Sequence, residues 1–194
     1  MVERAKGEHS AQVQALFKRA DVPCYCQYWQ FDGDHRQWQD RCANHREKNV
    51  FGIAEQLSQE SIVAFVARDK ERVVGWARVA RPAELSKLYS GRLYRGLPCF
   101  SEGRDEVRTL ACFLVDPTLR RQGVARKLLK SVIELSRESG AKYLEALPRG
   151  ATDVSDEEQW MGPLALFVEA GFQVVHDFSP YPVLRLELAA AANL

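Results

Sequence analysis

From Val107 to Gly140 the chain passes from a strand through a short basic loop into an amphipathic helix with a glycine where the loop meets it. Leu110, Cys112, Phe113, Leu114 and Val115 make a nearly unbroken apolar run that Asp116-Pro117 stops, so a buried strand over Val107 to Val115 ends there. Ala125, Leu128, Leu129, Val132 and Ser136 then recur at helical spacing, with Arg126, Lys127, Lys130, Glu134 and Arg137 on other faces, until Gly140 supplies a stop. The helix therefore begins near Val124. Its first N–H groups lack intrahelical partners and its dipole is positive there, so two effects favour an anion over Gln122, Gly123, Val124 and Ala125. Gly123 lets the anion approach the backbone, and Arg120, Arg121 and Arg126 bring fork-shaped donors that suit phosphate oxygens. An ordinary strand-to-helix turn with a solvated basic rim accounts for the same residues if the loop is taken alone.

Upstream, His9 to Arg19 reads as a helix with Val13, Leu16 and Phe17 on one face, and Asp21-Val22-Pro23 breaks it. Cys24 to Phe31 is dense in aromatics and reads as an extended segment or a loop. Asp34 to Leu57 is helical in composition, with a break placed near Phe51-Gly52. Ser61 to Ala67 and Val73 to Ala80 are β-type runs joined by Arg68 to Arg72, a hairpin ahead of the basic loop. From Arg81 to Arg104 prolines and glycines accumulate, which predicts an irregular connection with a short helix around Glu84 to Tyr89. Downstream follow a short strand at Lys142 to Leu147, an acidic stretch from Arg149 to Gln159, a helix from Leu164 to Ala170, and strands at Phe172 to His176 and Val183 to Leu188. The tail from Ala189 reads as unstructured or a frayed helix.

At 194 residues and 46% hydrophobic, the chain can bury a substantial core as one domain over residues 1–194. Lysine and arginine number 27 against 26 acids, so no global field recruits nucleic acid or an anionic membrane. The N-terminus lacks an apolar core of signal length and no run approaches the roughly 20 residues that span a bilayer, which leads to an expected cytoplasmic location. Cys24, Cys26, Cys42, Cys99 and Cys112 are an odd set and read as reduced thiols. Cys24, Cys26, Cys42 and His45 supply four zinc-type ligands. An extended Cys-x-Cys would point its thiols to opposite faces, so no metal is the leading expectation and a zinc-stapled interaction domain the weakest.

Arg120-Arg121-Gln122-Gly123-Val124-Ala125 resembles the Arg/Gln-x-x-Gly-x-Gly/Ala signature of the Gcn5-related N-acetyltransferase superfamily, and it follows a strand with the Val-Asp-Pro ending common there. Gly162 to Phe172 is similar to the superfamily's later helix, which ends in Gly-Phe before a strand. The resemblance covers about the last half of the chain, with the core motif at 107–140 and the C-terminal helix and strands at 162–188. It implies an α/β fold: a mixed, mostly antiparallel central sheet of six to seven strands flanked by helices. It also implies acetyl-CoA as donor, its pantetheine arm along Phe113, Leu114 and Val115, its pyrophosphate on Arg121 to Arg126 beside Arg120, and Phe167 near the thiol end.

Acetyl transfer to an amine requires that the amine lose a proton, the oxyanion meet fixed donors, and the thiolate leave. Aligned by the glycine motif, Thr109 stands where histone-type members carry a glutamate base. Glu106 and Glu145 are the nearest carboxylates, and both also suit ordinary polar strand positions. Many members have a tyrosine as general acid where this chain has Phe167, and an asparagine where Trp160 stands. A thiol of reference pKa about 8.5 leaves tolerably without an acid. Cys112 as a covalent acetyl carrier has no recognisable activating base, and a buried strand thiol is the simpler reading. The expectation is therefore an acetyl-CoA-dependent N-acetyltransferase acting on a small amine or a protein amino group. The alternative is a CoA-binding or partner-binding module on the same fold. The aromatic Tyr25 to Phe31 segment is a candidate acceptor wall or plain core, and a homodimer is compatible with the superfamily pattern.

Overall fold

The computed structural model describes residues 1–150 and 160–188. Its strands are β1 (Val2–Arg4), β2 (Val63–Asp69), β3 (Arg72–Ala80), β4 (Val107–Val115), β5 (Tyr143–Ala146), β6 (Gln173–His176) and β7 (Val183–Glu187). They form one sheet in the order β1-β2-β3-β4-β5-β7-β6, antiparallel at every junction except β4 with β5. This is the mixed, mostly antiparallel sheet expected from the sequence.

Helices cover both faces. On one lies α5 (Val124–Glu138), whose buried Leu128, Leu129 and Val132 join Phe65, Val79 and Leu110. Fully burying each such aliphatic side chain contributes about 1.5–3 kcal/mol. On the other lie α1 (Ser10–Arg19) and α3 (Arg46–Ser58), whose Val13, Leu16, Phe17, Ile53 and Leu57 enclose Trp76. Because β3 is covered on both sides, it is buried from Val73 to Ala80, Arg78 included. Gly75 sets how closely α5 approaches. A Cβ there would stand 2.9 Å from Leu128 Cδ1 and Val124 Cγ1, so even an alanine would force these two side chains to shift.

Two details differ from the sequence reading, the place of a helix break and the first strand. The helical stretch 35–58 is divided at His45, between α2 (His35–Asn44) and α3, and runs unbroken through Gly52. Arg41 fixes that corner, with Nε 2.6 Å from Asn49 Oδ1 and Nη2 3.2 Å from Lys48 O. The connection after β3 is irregular as expected, with a 3-10 turn at Pro82–Leu85 and one turn of helix, α4 (Ser86–Tyr89), where a short helix was placed. Strand β1 carried no signal, since three residues are too few to show alternation. The last helix, α6 (Leu164–Glu169), precedes β6 as expected. Most of the acidic stretch at 149–159 and the tail from 189 lie outside the described residues.

Candidate active site

Asp116, the residue that ends β4, fixes where the basic loop leaves the sheet. Its Oδ1 accepts from the Thr118 backbone N–H at 3.1 Å and hydroxyl at 2.7 Å, capping the 3-10 turn Pro117–Leu119. Its Oδ2 accepts from Arg19 Nε at 2.8 Å and Arg72 Nη2 at 2.6 Å. Burial alone pushes this carboxyl up, but the Thr118 hydroxyl and amide and the two guanidiniums outweigh it and hold it well below the usual carboxylate range. Beyond the turn, Arg121 and Gly123 both take left-handed backbone, at φ 60° and 80°. Gly123 is the N-cap of α5 and offers no side chain to the first-turn N–H groups, which leaves them for a ligand or water.

These groups open onto a cleft of about 360 Å³ between the end of β4, the loop and α6. Phe113, Leu114, Val115, Arg120, Arg121, Gly123, Val124, Ala125 and Arg126 all line it. Gln122 and Phe167 do not. Gln122 Nε2 turns back to Thr118 O at 3.4 Å, and Phe167 is fully buried with its ring against Phe172 at 5.3 Å. Facing the loop from α6 are Pro163, Ala165, Leu166 and Glu169. Sequence reasoning missed Glu169, whose Oε2 accepts from Arg126 Nε at 3.1 Å and Nη2 at 2.7 Å. Both partners are largely exposed, so this latch is worth well under 1 kcal/mol.

The cleft exists because β4 and β5 part company. Their parallel pairing runs only from Val107 with Tyr143 to Thr109 with Glu145. Just beyond, β4 bulges: Arg78 pairs with Cys112 and Val79 with Leu110, so Ala111 is an extra residue. Two groups meet the bulged edge. Trp29 Nε1–H donates to Ala111 O at 3.0 Å, and Phe113 N–H donates to Trp160 O at 2.8 Å. The Trp29 and Trp160 rings lie 5.2 Å apart, with Tyr28 6.2 Å from Trp160. Lys87 Nζ sits 4.8 Å from the Tyr28 ring and 5.1 Å from that of Phe31, donating to Phe31 O and Gly33 O. The segment that reads as an acceptor wall thus divides: Tyr25 is core, stacked on Phe17, whereas Tyr28 and Trp29 stand at the open edge of β4.

Neither sequence-nominated carboxylate lines the cleft. Glu145 is fully buried, and both oxygens are occupied. Oε1 accepts from Arg104 Nη1 at 2.8 Å, Arg185 Nη2 at 2.6 Å and Arg185 Nε at 3.2 Å, while Oε2 accepts from Arg104 Nη2 at 2.9 Å and the Tyr89 hydroxyl at 2.8 Å. A carboxylate so neutralised has no lone pair directed at an incoming amine. Glu106 lies at the surface, its Oε1 2.6 Å from Lys142 Nζ. Thr109 is buried, its hydroxyl 2.6 Å from that of Tyr89. Burial, then the charge of Glu145, push the Tyr89 phenol far up, so it stays protonated.

Cys24, Cys26, Cys42 and His45 are not assembled as ligands. Cys26 turns into the core beside Cys112, Cys42 Sγ faces Asn49 Nδ2 at 3.8 Å, and His45 lies near Asp40 and Glu47. Among the described residues no group of three or more His, Cys, Asp or Glu is arranged to hold a metal ion. No described helix is long and apolar enough to cross a membrane.

Comparison with known proteins agrees with this geometry. The fold resembles an N-acetyltransferase from Staphylococcus aureus Mu50, at 16% identity over 97% of this chain and 98% of that one, with a TM-score of 0.57. It also resembles the PaiA N-acetyltransferase of Thermoplasma acidophilum, solved with coenzyme A, at 10% identity over 96% and 99% and a TM-score of 0.56. A third is the ribosomal-protein-S18-alanine N-acetyltransferase of Escherichia coli, at 14% identity over 100% and 97% and a TM-score of 0.52. No curated sequence matches significantly. The family model described as acetyltransferase (GNAT) matches residues 16–158, the span that carries the sheet's split and the glycine loop, and the chain belongs to that family.

Proposed function

We propose that the protein transfers the acetyl group of acetyl-CoA to an amine by direct attack within a ternary complex. The observation that carries this reading is the cleft where β4 leaves β5, with the left-handed Arg121–Gly123 loop and the α5 N-terminus at its mouth. The pyrophosphate rests on the Gly123 to Arg126 amides, flanked by Arg120, Arg121 and Arg126. The pantetheine arm runs along Phe113 to Val115 and takes over the Phe113 N–H from Trp160 O. The thioester then lies at the Ala111 bulge, below Trp29. Because the cleft contributes no unpaired carboxylate among the described residues, an amine that arrives partly unprotonated, or loses its proton to water, suits this site. Acceptor amines include small molecules and protein amino groups. Free cysteines accord with a reducing, cytoplasmic setting. Calorimetry with acetyl-CoA tests the donor, and no binding at millimolar ligand to folded protein overturns it; an amine panel with thiol detection tests the transfer.

A second reading keeps the ligand and drops the reaction: a CoA-binding module. Thr109 closed off by Tyr89, Glu145 neutralised by two arginines, and Phe167 in the core favour it. Tight CoA binding with no turnover across the amine panel selects this reading; turnover above background removes it.

A further inference from the structure

Beside the bulge in β4 lies a buried positive charge that none of the contacts described so far uses. Arg78 of β3 pairs across the ladder with Cys112, the residue after Ala111, so it stands one strand from the edge that Trp29 meets. It is 3% exposed, and its guanidinium stays protonated in any protein environment. Every other residue of β3 from Val73 to Ala80 is apolar or glycine, so packing alone does not call for a cation here. The guanidinium reaches the loop between α1 and α2, where Nη1 donates to Cys26 O at 3.2 Å and to Gln30 Oε1 at 2.7 Å. Both acceptors are neutral, and among the described residues no carboxylate pairs with Arg78. A buried charge in this state is unfavourable.

The other edge of the guanidinium is unfilled. Nε is buried without a hydrogen bond, and Nη2 makes none with a described residue. Nε and Nη2 carry the parallel N–H bonds that match the two oxygens of a carboxylate. Elsewhere in this protein a glutamate closes that same edge: Arg126 gives both donors to Glu169, and Arg185 gives both to Glu145. At Arg78 the one side chain on the guanidinium is Gln30. This residue is exposed and ends the 3-10 turn that carries Tyr28 and Trp29, and its carboxamide offers a neutral oxygen where a charged one binds more strongly.

We propose that Arg78 receives a carboxylate of the acceptor, which makes the acceptor an amino acid or another amine with a carboxylate close to its nitrogen. The carboxylate enters as Gln30 swings outward, takes Nη2 and a neighbouring donor, and neutralises the guanidinium. The amine then extends past Trp29 towards the Ala111 bulge. The position of the amine rests on the acetyl-transfer reading; the anion site rests on Arg78 and its unfilled edge alone. Such an acceptor brings its own counterion, which explains why the chain leaves this one buried arginine without a carboxylate while supplying Glu145 and Glu169 to others.

N-acetyl amino acids, the products expected of such acceptors, test the anion site apart from turnover. Calorimetry on the wild-type protein compares each with its primary amide, which removes only the charge that Arg78 meets. At least one acid should bind about 10- to 100-fold more tightly than its amide. Gln30→Glu places a carboxylate of the protein on Nη1, at an exposed position that tolerates the change. This variant should melt above the wild type, bind acid and amide alike, and keep its affinity for CoA. Acids that bind the wild type no better than their amides, a preference that survives in Gln30→Glu, or a variant no more stable than the wild type overturns the proposal. Transfer from acetyl-CoA to amines with no preference for the acids over the amides overturns it too, and leaves the acetyl-transfer reading standing. Acids that bind in preference but are never acetylated support the anion site and count against the transfer.

Discussion

Replacing Gly123 by alanine and by glutamate separates its backbone role from its phosphate role. At φ 80° an L side chain is strained by roughly 1–2 kcal/mol. No heavy atom lies within 4 Å of where a Cβ would stand, so there is no clash on top of that strain. Both variants therefore stay folded and lose similar stability, and for a chain of this size each 1 kcal/mol lowers Tm by about 2–4 °C. What separates them is charge. A carboxylate beside the pyrophosphate interacts with each phosphate charge by about 1 kcal/mol at 4 Å in bulk water and about 4 kcal/mol near a protein surface. The mouth of the cleft is open, so the lower part of that range applies. Two phosphate charges then oppose binding by about 2–4 kcal/mol, and with about 1.4 kcal/mol per tenfold this is a loss of roughly 30- to 700-fold.

Calorimetry with CoA, beside a thermal melt of each variant, measures both quantities. Raising the salt should narrow the gap between Gly123→Ala and Gly123→Glu, because the penalty is electrostatic and the Debye length shrinks. If both variants melt alike and bind CoA as tightly as the wild type, the pyrophosphate does not rest at the α5 N-terminus. If both lose binding to the same extent at every salt concentration, the loop acts through its shape and the electrostatic argument fails.

Other consequences are more local. If the donor's arm displaces Trp160 from Phe113, CoA should change the protein's tryptophan fluorescence; Trp160→Phe should abolish most of that change, and a full signal in the variant would contradict the displacement. Asp116→Asn should destabilise by about 2–3 kcal/mol, since it weakens charge-assisted bonds to two partly exposed arginines but keeps a cap for Thr118. Because the folded-state pKa of Asp116 is depressed, its contribution is fully present above the unfolded value of about 3.9 and fades as pH falls through the lower folded value. The Tm difference between wild type and Asp116→Asn should therefore shrink in acid, and a constant difference would count against the pairing. Glu145→Gln leaves Arg104 and Arg185 about one-fifth exposed without a carboxylate, and should cost about 3–5 kcal/mol in chemical denaturation; an unchanged midpoint with lost turnover would instead make Glu145 a base. Val174, Val175 and Phe178 leave the β6 edge apolar and exposed, so light scattering should detect any dimer through it, and Val174→Lys should dissociate one.

What was legible in the sequence was local. The apolar run at Leu110–Val115, the Asp116-Pro117 stop, Gly123 and the periodicity of α5 each act within a few residues, so strand, loop and helix could be placed by spacing alone. The helix break was misplaced because Gly52 is a weak interruption, about 1 kcal/mol relative to alanine, which tertiary packing overrides. The corner at His45 depends instead on Arg41 reaching Asn49 in the next helix. The rest of the site was invisible for a related reason. Trp29 and Ala111 are 82 positions apart, Arg104 and Glu145 41, and Arg126 and Glu169 43, and no periodicity links them. Glu145 looked available as a base because sequence shows a carboxylate but not the two guanidiniums that neutralise it.

This division has a physical cause in the sheet. Most of the cleft wall comes from one continuous segment, Phe113 to Arg126, faced by α6, and the segment's geometry follows from a strand end, a capped turn and a helix start. A sequence that preserves those local rules preserves the loop and helix start on which the proposed phosphate site rests, provided Arg19 and Arg72 still hold Asp116. Under the proposed function the acceptor would meet pieces brought together only in space: Tyr28 and Trp29 from the loop before α2, and Trp160 from the segment before α6. At the bulge Ala111 offers a main-chain carbonyl, which here accepts from Trp29. Solved structures at 10–16% identity to this chain share its fold. Acceptor identity is then to be sought in the Trp29–Trp160 wall: replacing Trp29 should alter which amines react while leaving CoA affinity within the range set by Gly123 and its neighbours. A Trp29→Ala variant that loses CoA binding in proportion to turnover would place Trp29 in the donor site and undo this partition.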